Sequence, residues 1–212
     1  MKLAPARFSL LRWVPVLWLA VWLPAYAHYW GWANFLHSCD IGVILSAAGF
    51  FLGNSLLLSS QAVGNVLADL LWCFDAASRL VSGKHLLGGT EYMWDSHFPV
   101  WLRLLSLFHI FLPVLLVWSL RRAGYDRRGL PLQGAILAGL LVVSRFFGQE
   151  QNLNYAYIEP IFHRFWGPAL LHIFLVWLWM LIFLYLPVHF ALVKLMPESK
   201  MAAHPNSHQA AL

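Results

Sequence analysis

The chain has 212 residues, of which 60% are hydrophobic and only 11% charged, with a mean hydropathy of +0.65. Soluble domains carry roughly a quarter charged residues, so a water-soluble globular fold is excluded, and 12 Trp, 15 Phe and 7 Tyr exclude a disordered chain. The formal charge of +5 does not point to nucleic acid, because the basic residues form no single patch and mostly mark one side of a membrane.

Six apolar runs follow one another, each near the ~20 residues that a tilted membrane helix needs. The first, residues 10–27, has Lys2, Arg7 and Arg12 at its start. It ends in Ala25-Tyr26-Ala27, which also fits signal-peptide cleavage before His28. Residues 1–27 therefore read as a first span or as a signal peptide, and both orient the remainder identically. Spans two and three, residues 34–53 and 56–80, are joined by the short polar turn Gly53-Asn54-Ser55 and form an antiparallel hairpin. Span four is 100–120, span five 130–147 and span six 166–194, where Pro187 is expected to kink the helix or end it early. Residues 196–212 are polar and read as a disordered cytoplasmic tail.

Fold class is thus all-α: one polytopic helix bundle over residues 1–195. Arg121, Arg122, Arg127 and Arg128 follow span four, and Lys194 and Lys200 close span six. With the N-terminal basic group they fall on one side, which the positive-inside rule makes cytoplasmic, so both termini are cytoplasmic. The expected location is the cell membrane, multi-pass, in a bacterial inner membrane.

Ionisable side chains in hydrocarbon cost several kcal/mol and need a partner, water or a purpose. At ~1.5 Å per residue from the outer end, His37 lies ~5 Å deep, Asp40 and His172 ~9 Å, His109 ~14 Å and Asp69 ~16 Å. Nearer the surface lie Asp75, Asp95, Glu150, Asn152, Asn154 and Glu159, whereas the inner half has only His189. This asymmetry predicts a polar cavity open to the outer face. Helical spacing puts Asp69 and Cys73 on one face, and Ser106 and His109 on another. Similar depth predicts that Asp69 and His109 pair, and that losing Asp69 destabilises the protein more than a change at His85, which reads as a solvated loop residue. An Asp–His pair can also serve only to fix helix register. Buried cysteines are commonly inert packing residues, the competing reading for Cys39 and Cys73.

Several short stretches carry a resemblance: Asn34-Phe35-Leu36-His37-Ser38-Cys39-Asp40, Leu71-Trp72-Cys73-Phe74-Asp75, Gly89-Thr90-Glu91-Tyr92-Met93, Leu105-Ser106-Leu107-Phe108-His109 and Asn152-Leu153-Asn154-Tyr155. Together they resemble a group of uncharacterised bacterial multi-pass membrane proteins. The His-x-Cys-Asp at the head of one span and a later Phe-His are more distantly similar to a bacterial integral membrane family with eukaryotic lipid-acyltransferase relatives. The resemblance implies acyl transfer through Cys39 and His109.

The functional expectation is a membrane-embedded enzyme acting from the outer face on lipid or lipid-linked substrates, by acyl transfer or hydrolysis. Cys39, His109 and Asp69 are its candidate catalytic residues; His37, Asp40, Asn152, Asn154 and His172 are its candidate substrate-binding residues. Acyl transfer would use Cys39 as nucleophile, His109 as base and Asn154 as oxyanion donor. A hydrolytic variant would gather His37, Asp40, His109 and His172 around a metal-activated water. No cofactor is assigned. The expected partners are membrane lipids, with a homo-oligomer or a larger membrane complex as the assembly. The alternative is a non-catalytic small transporter or a subunit of a membrane complex.

Overall fold

The computed structural model describes residues 13–199; the basic residues Lys2, Arg7, Arg12 and Lys200 lie outside them. Six helices follow in chain order: α1 Trp13–Tyr29, α2 Ser38–Leu52, α3 Ser55–Ser82, α4 Val100–Ala123, α5 Gly129–Ser144 and α6 Ala169–Leu195. Among the described residues there is no strand, only an isolated bridge between Tyr125 and Glu198. Three helices, α3, α4 and α6, are long and apolar enough to cross a membrane, whereas α2 and α5 are shorter apolar helices. At 1.5 Å per residue, the 15 residues of α2 span ~22 Å, short of a ~30 Å hydrocarbon core. The stretch expected to lengthen α2 instead folds as a separate 3₁₀ turn, Trp32–Leu36, before an extended His37.

Local chemistry sets these boundaries. Gly53 closes α2 in the left-handed conformation (φ 63°), and the Asn54 side chain caps α3 by accepting from the Leu57 N–H at 3.0 Å. The predicted hairpin turn is therefore present. α4 tightens into a 3₁₀ turn at Leu105–Leu107 and then runs on through Pro113. Pro187 neither ends nor breaks α6. A π-helical turn, Leu181–Tyr185, precedes it and absorbs the hydrogen bond that proline cannot donate.

α3 is the hub and packs against α2, α4, α5 and α6, while α1 lies on α2. Its interior is polar: Ser55, Ser59, Ser60, Gln61, Asn65 and Asp69 are all buried. Large apolar side chains such as Leu70, Phe74, Phe111, Leu170 and Phe190 face outward and are more than half exposed. This inversion, with polar groups inside and hydrocarbon outside, suits a bilayer and would be ruinous in water. Small residues let the helices close around the polar interior. Gly42 and Gly64 leave the spaces that the Asn65 and Gln133 amides fill, and an added Cβ at either would collide with them.

The bundle has a short-loop end, holding the α2–α3 and α4–α5 connections, and a long-loop end holding the other three. At the short-loop end, Asp126 is fully buried and accepts from Arg128 Nε (3.1 Å) and Nη2 (2.8 Å), while its N–H donates to Ser59 Oγ (2.9 Å). The Arg128 bonds hold its carboxyl below the usual range against the opposing effect of burial. Residues 196–199, expected to begin a disordered tail, dock here: Tyr125 N–H donates to Pro197 O and Ser199 N–H to Tyr125 O. The rest of that tail lies outside the described residues.

Close helix approach yields a test. A Cβ on Gly129 would sit 2.8 Å from the Ser59 carbonyl carbon, a backbone atom that cannot swing aside, whereas one on Gly139 meets nothing within 4 Å. Gly129→Ala should lower stability by about 1–3 kcal/mol. Gly139→Ala should be neutral or stabilise by up to about 1 kcal/mol through helix propensity. Thermal unfolding of both variants in detergent reads the difference.

Candidate functional site

The ionisable groups of four elements converge in the half of the bundle nearer the long loops. Asp69 lies mid-way along α3, 14 residues from Ser55 and 13 from Ser82, and is fully buried. His109, in the first turn after the α4 3₁₀ segment, is 6% exposed. Its Nδ1 lies 2.8 Å from Ser106 O; the carbonyl can only accept, so Nδ1 carries the hydrogen. The ring is clamped between Trp72, stacked at 4.5 Å and 7°, and Phe108 at 4.0 Å. Nε2 is thereby aimed at Asp69 Oδ1, 3.9 Å away.

The predicted pair is thus within ion-pair reach, but it is not closed. Neither Asp69 oxygen accepts any hydrogen bond. In the neutral imidazole Nε2 is an acceptor as well, so facing an ionised Asp69 it leaves two acceptors with no donor between them unless one of the two gains a proton. A pair built only to fix register would close to ordinary hydrogen-bond length, since an unsatisfied buried group costs ~1–3 kcal/mol.

Around the pair, Cys73 Sγ donates to His109 O at 3.5 Å, the Tyr26 hydroxyl meets Ser106 Oγ at 2.6 Å, and Trp72 Nε1 donates to Tyr92 OH at 3.2 Å. Helical spacing already put Ser106 beside His109; Tyr26, Trp72 and Tyr92 are the residues to which sequence reasoning gave no part here, because neutral aromatic groups in an aromatic-rich chain carry little signal. Asp40 is buried, accepting from Asn34 Nδ2 at 2.6 Å and from Cys39 Sγ at 3.8 Å. Cys39 lies near enough to Asp40 and Asp69 for both charges to act on it. Among the described residues its sulfur is hydrogen-bonded to Asp40 and not to an imidazole nitrogen. Nucleophile and base share the region but are not hydrogen-bonded.

Other candidates are engaged elsewhere. Asn154, the proposed oxyanion donor, gives its amide hydrogens to Leu36 O (2.7 Å) and Ser144 Oγ (3.1 Å) and accepts from Ser38 N–H (2.8 Å). It pins the start of α2 to the loop after α5. Asn152 accepts from the N–H groups of Tyr157 and Ile158 and donates to Ile158 O. His172 accepts from Trp166 N–H at 3.1 Å and donates from Nε2 to Tyr155 O at 3.0 Å, so both ring nitrogens hold loop backbone. His37 sits at the N-terminus of α2 and is half-buried. Among the described residues no three His, Cys, Asp or Glu side chains gather in a metal-holding group, so His37, Asp40, His109 and His172 do not form the expected ligand set.

A polar seam runs from Asp69 toward the short-loop end. Asn65 Nδ2 donates to Gln61 O at 2.9 Å, Gln61 Nε2 to Gln133 Oε1 at 3.3 Å, and Gln133 Nε2 to Tyr185 OH at 3.5 Å. Counting ionisable groups alone misses it. Its sequence signal is the i, i+4 recurrence of Gln61, Asn65, Asp69 and Cys73 on one helical face.

At the long-loop end, buried Asp75 organises the 83–91 loop. It accepts from Leu87 N–H (2.7 Å), Gly88 N–H (3.0 Å), His85 Nδ1 (3.0 Å) and the Thr90 hydroxyl. His85 is therefore a structural partner rather than a free loop residue. Glu159 plays the same part in the next loop. Burial would raise its carboxyl, but the N–H groups of Phe162, Ile161 and Arg164 outweigh that and hold it below the usual range.

Comparison of the chain with protein-family models, curated proteins and solved structures gives no match.

The two aspartates predict opposite stability effects. Asp75 accepts four hydrogen bonds, so Asp75→Ala should cost about 2–3 kcal/mol and expose Lys84 to trypsin. Asp69 accepts none, so Asp69→Leu should be neutral or stabilising, as when buried charges give way to apolar residues of similar size. Thermal unfolding of the two variants should separate them. This ordering also departs from the expectation that losing Asp69 destabilises the protein more than a change at His85, which is one of the Asp75 partners.

Proposed function

We propose that this chain is a six-span integral membrane protein of a bacterial inner membrane, with both termini cytoplasmic. Its working centre is the Asp69–His109 pair, an acid–base centre acting on a lipid or lipid-linked substrate reached from the outer side. The orientation rests on the basic residues at the short-loop end: Arg121, Arg122, Arg127, Arg128 and Lys194. The observation that carries the chemistry is the gap itself, an orphaned buried carboxyl 3.9 Å from an imidazole nitrogen whose ring is locked from three sides. A hydroxyl or water in that gap would donate to His109 Nε2, and Asp69 in its protonated form could return a proton to a leaving oxygen. Hydrolysis or transfer through an activated hydroxyl suits this arrangement better than a Cys39 nucleophile, whose sulfur donates to Asp40 and not to the His109 imidazole.

The amide seam favours a second reading, a non-catalytic transporter or complex subunit, because it extends polar lining from Asp69 toward the cytoplasmic side. Lipid extracts from cells expressing wild-type or Asp69→Asn protein decide between the two. The enzyme reading expects lipid species turned over by the wild type, with turnover falling at least about 100-fold in the variant. Identical lipid profiles from both would sink it.

Topology has its own check. Reporter fusions after Gly83 and after Arg122 should report opposite sides of the membrane, the second cytoplasmic. Two cytoplasmic readings would refute the six-span arrangement.

A further inference from the structure

Two apolar grooves open on the outside of the bundle, and they differ in what borders them. One, of about 260 Å³, lies between α1, α2 and α4 and is lined by residues such as Trp18, Phe50 and Phe111, with no charged residue among its walls. The other, of about 410 Å³, lies between the 155–166 loop and α6. Phe162, Trp166, Leu175, Trp179, Ile182 and Phe183 form its apolar walls, and Tyr155 and Glu159 close its loop end. From Leu175 to Phe183 it follows α6 for ~12 Å, within the reach of one bilayer leaflet. The lower wall includes the π-helical turn, whose extra residue per turn turns Ile182 and Phe183 away from regular α spacing.

The larger groove lies on a helix apolar enough to cross a membrane, so the medium facing it is hydrocarbon. Its rim carries one exposed cation, Arg164. Glu159 directs its carboxylate inward onto the N–H groups of Ile161, Phe162 and Arg164, while the side chains of His163 and Arg164 stay exposed beside it. An apolar channel below and exposed positive charge above match a lipid with a buried tail and an anionic headgroup. Tyr155 lines the groove and its carbonyl is held by His172, while the neighbouring Asn154 bonds to Leu36 and Ser38 at the start of the helix that carries Cys39.

We infer that this groove binds one glycerophospholipid of the bilayer, with an acyl chain along α6 and its phosphate beside His163 and Arg164. The inference deepens the acid–base reading of Asp69 and His109 and rests on it for the lipid's role as substrate. The groove is where the tail of that substrate is gripped.

The test is lipid retention by the intact protein, purified in mild detergent and counted by native mass spectrometry with phosphatidylglycerol as the added probe. Wild-type protein should keep about one phospholipid per chain. Leu175→Trp and Ile182→Trp fill the groove from positions already partly exposed, and each should weaken retention about tenfold, the loss of two buried methylenes at ~0.8 kcal/mol each. Arg164→Glu leaves the walls intact and should weaken binding of the anionic lipid, which keeps the test valid if a groove variant misfolds. Leu115→Trp, in the smaller groove, should change nothing.

Equal retention by wild type and groove variants, equal loss in Leu115→Trp, or a second copy of the chain in place of lipid would each overturn the inference. Asp69→Asn separates the two proposals. Retained lipid with no turnover in the wild type removes the acid–base reading alone, whereas turnover without a retained lipid removes the groove.

Discussion

Helix α3 carries Gln61, Asn65 and Asp69 one turn apart through the middle of a bundle whose outer surface is Leu, Phe and Trp. Hydrocarbon offers such groups no partner, so every neighbour of α3 must supply one or stand close enough to exclude lipid. Gln133 reaches over from α5 to Gln61, Tyr185 follows from α6, and α2 answers Asn65 with a glycine rather than a side chain. The choice of small residues at Gly42, Gly64 and Gly129 follows from that requirement, since interhelical hydrogen bonds and tight van der Waals packing replace the hydrophobic effect as the source of association in lipid. The helices surround α3 because it is the element that lipid cannot accommodate.

The same logic orders the long-loop end. Two carboxylates, Asp75 and Glu159, each collect backbone N–H groups from the loop that follows them; Asn152 does the same with its amide oxygen, and Asn154 bonds back to Leu36 O and Ser38 N–H. These loops are folded by side chain-to-backbone bonds rather than by a core, which lets them stay ordered where apolar burial is scarce. His172 reaches from α6 to the carbonyl of Tyr155 and so ties the loop after α5 to the last helix. Density of polar residues in these loops thus reports construction first.

Hydropathy in the sequence makes the helical class plain, because long apolar runs separated by turn residues have one physical solution in lipid. It overstated the regularity of individual helices. The run at residues 34–53 is apolar enough for a full span, yet its first turn is a separate 3₁₀ segment, held by long-range bonds from Asn154 to Leu36 O and Ser38 N–H that no local pattern contains. Depth counting brought Asp69 and His109 to one level, and the structure has them 3.9 Å apart. It could not reveal that the imidazole is locked by Trp72, Phe108 and Ser106, nor that Asn152, Asn154 and His172 are occupied by backbone. Residue type and depth are legible in one dimension; the partner that uses up a side chain is not.

Asp69 is the exception to the rule that governs its helix. Gln61, Asn65 and Gln133 are neutral, so a buried amide bond satisfies them at little cost. A carboxyl at the same depth is far more expensive and is still left without a hydrogen bond, although Cys73 lies one turn away and His109 faces it. Packing alone would be served better by Leu or Asn at this position. A buried carboxyl left unpaired beside hydrogen-bonded amides is the feature on which the acid–base proposal rests. With no arginine or lysine beside the pair, the charge on Asp69 can be balanced only by His109 or by whatever enters the gap between them. Under the acid–base proposal, a proton gained or lost at Asp69 is therefore felt directly by His109, 3.9 Å away.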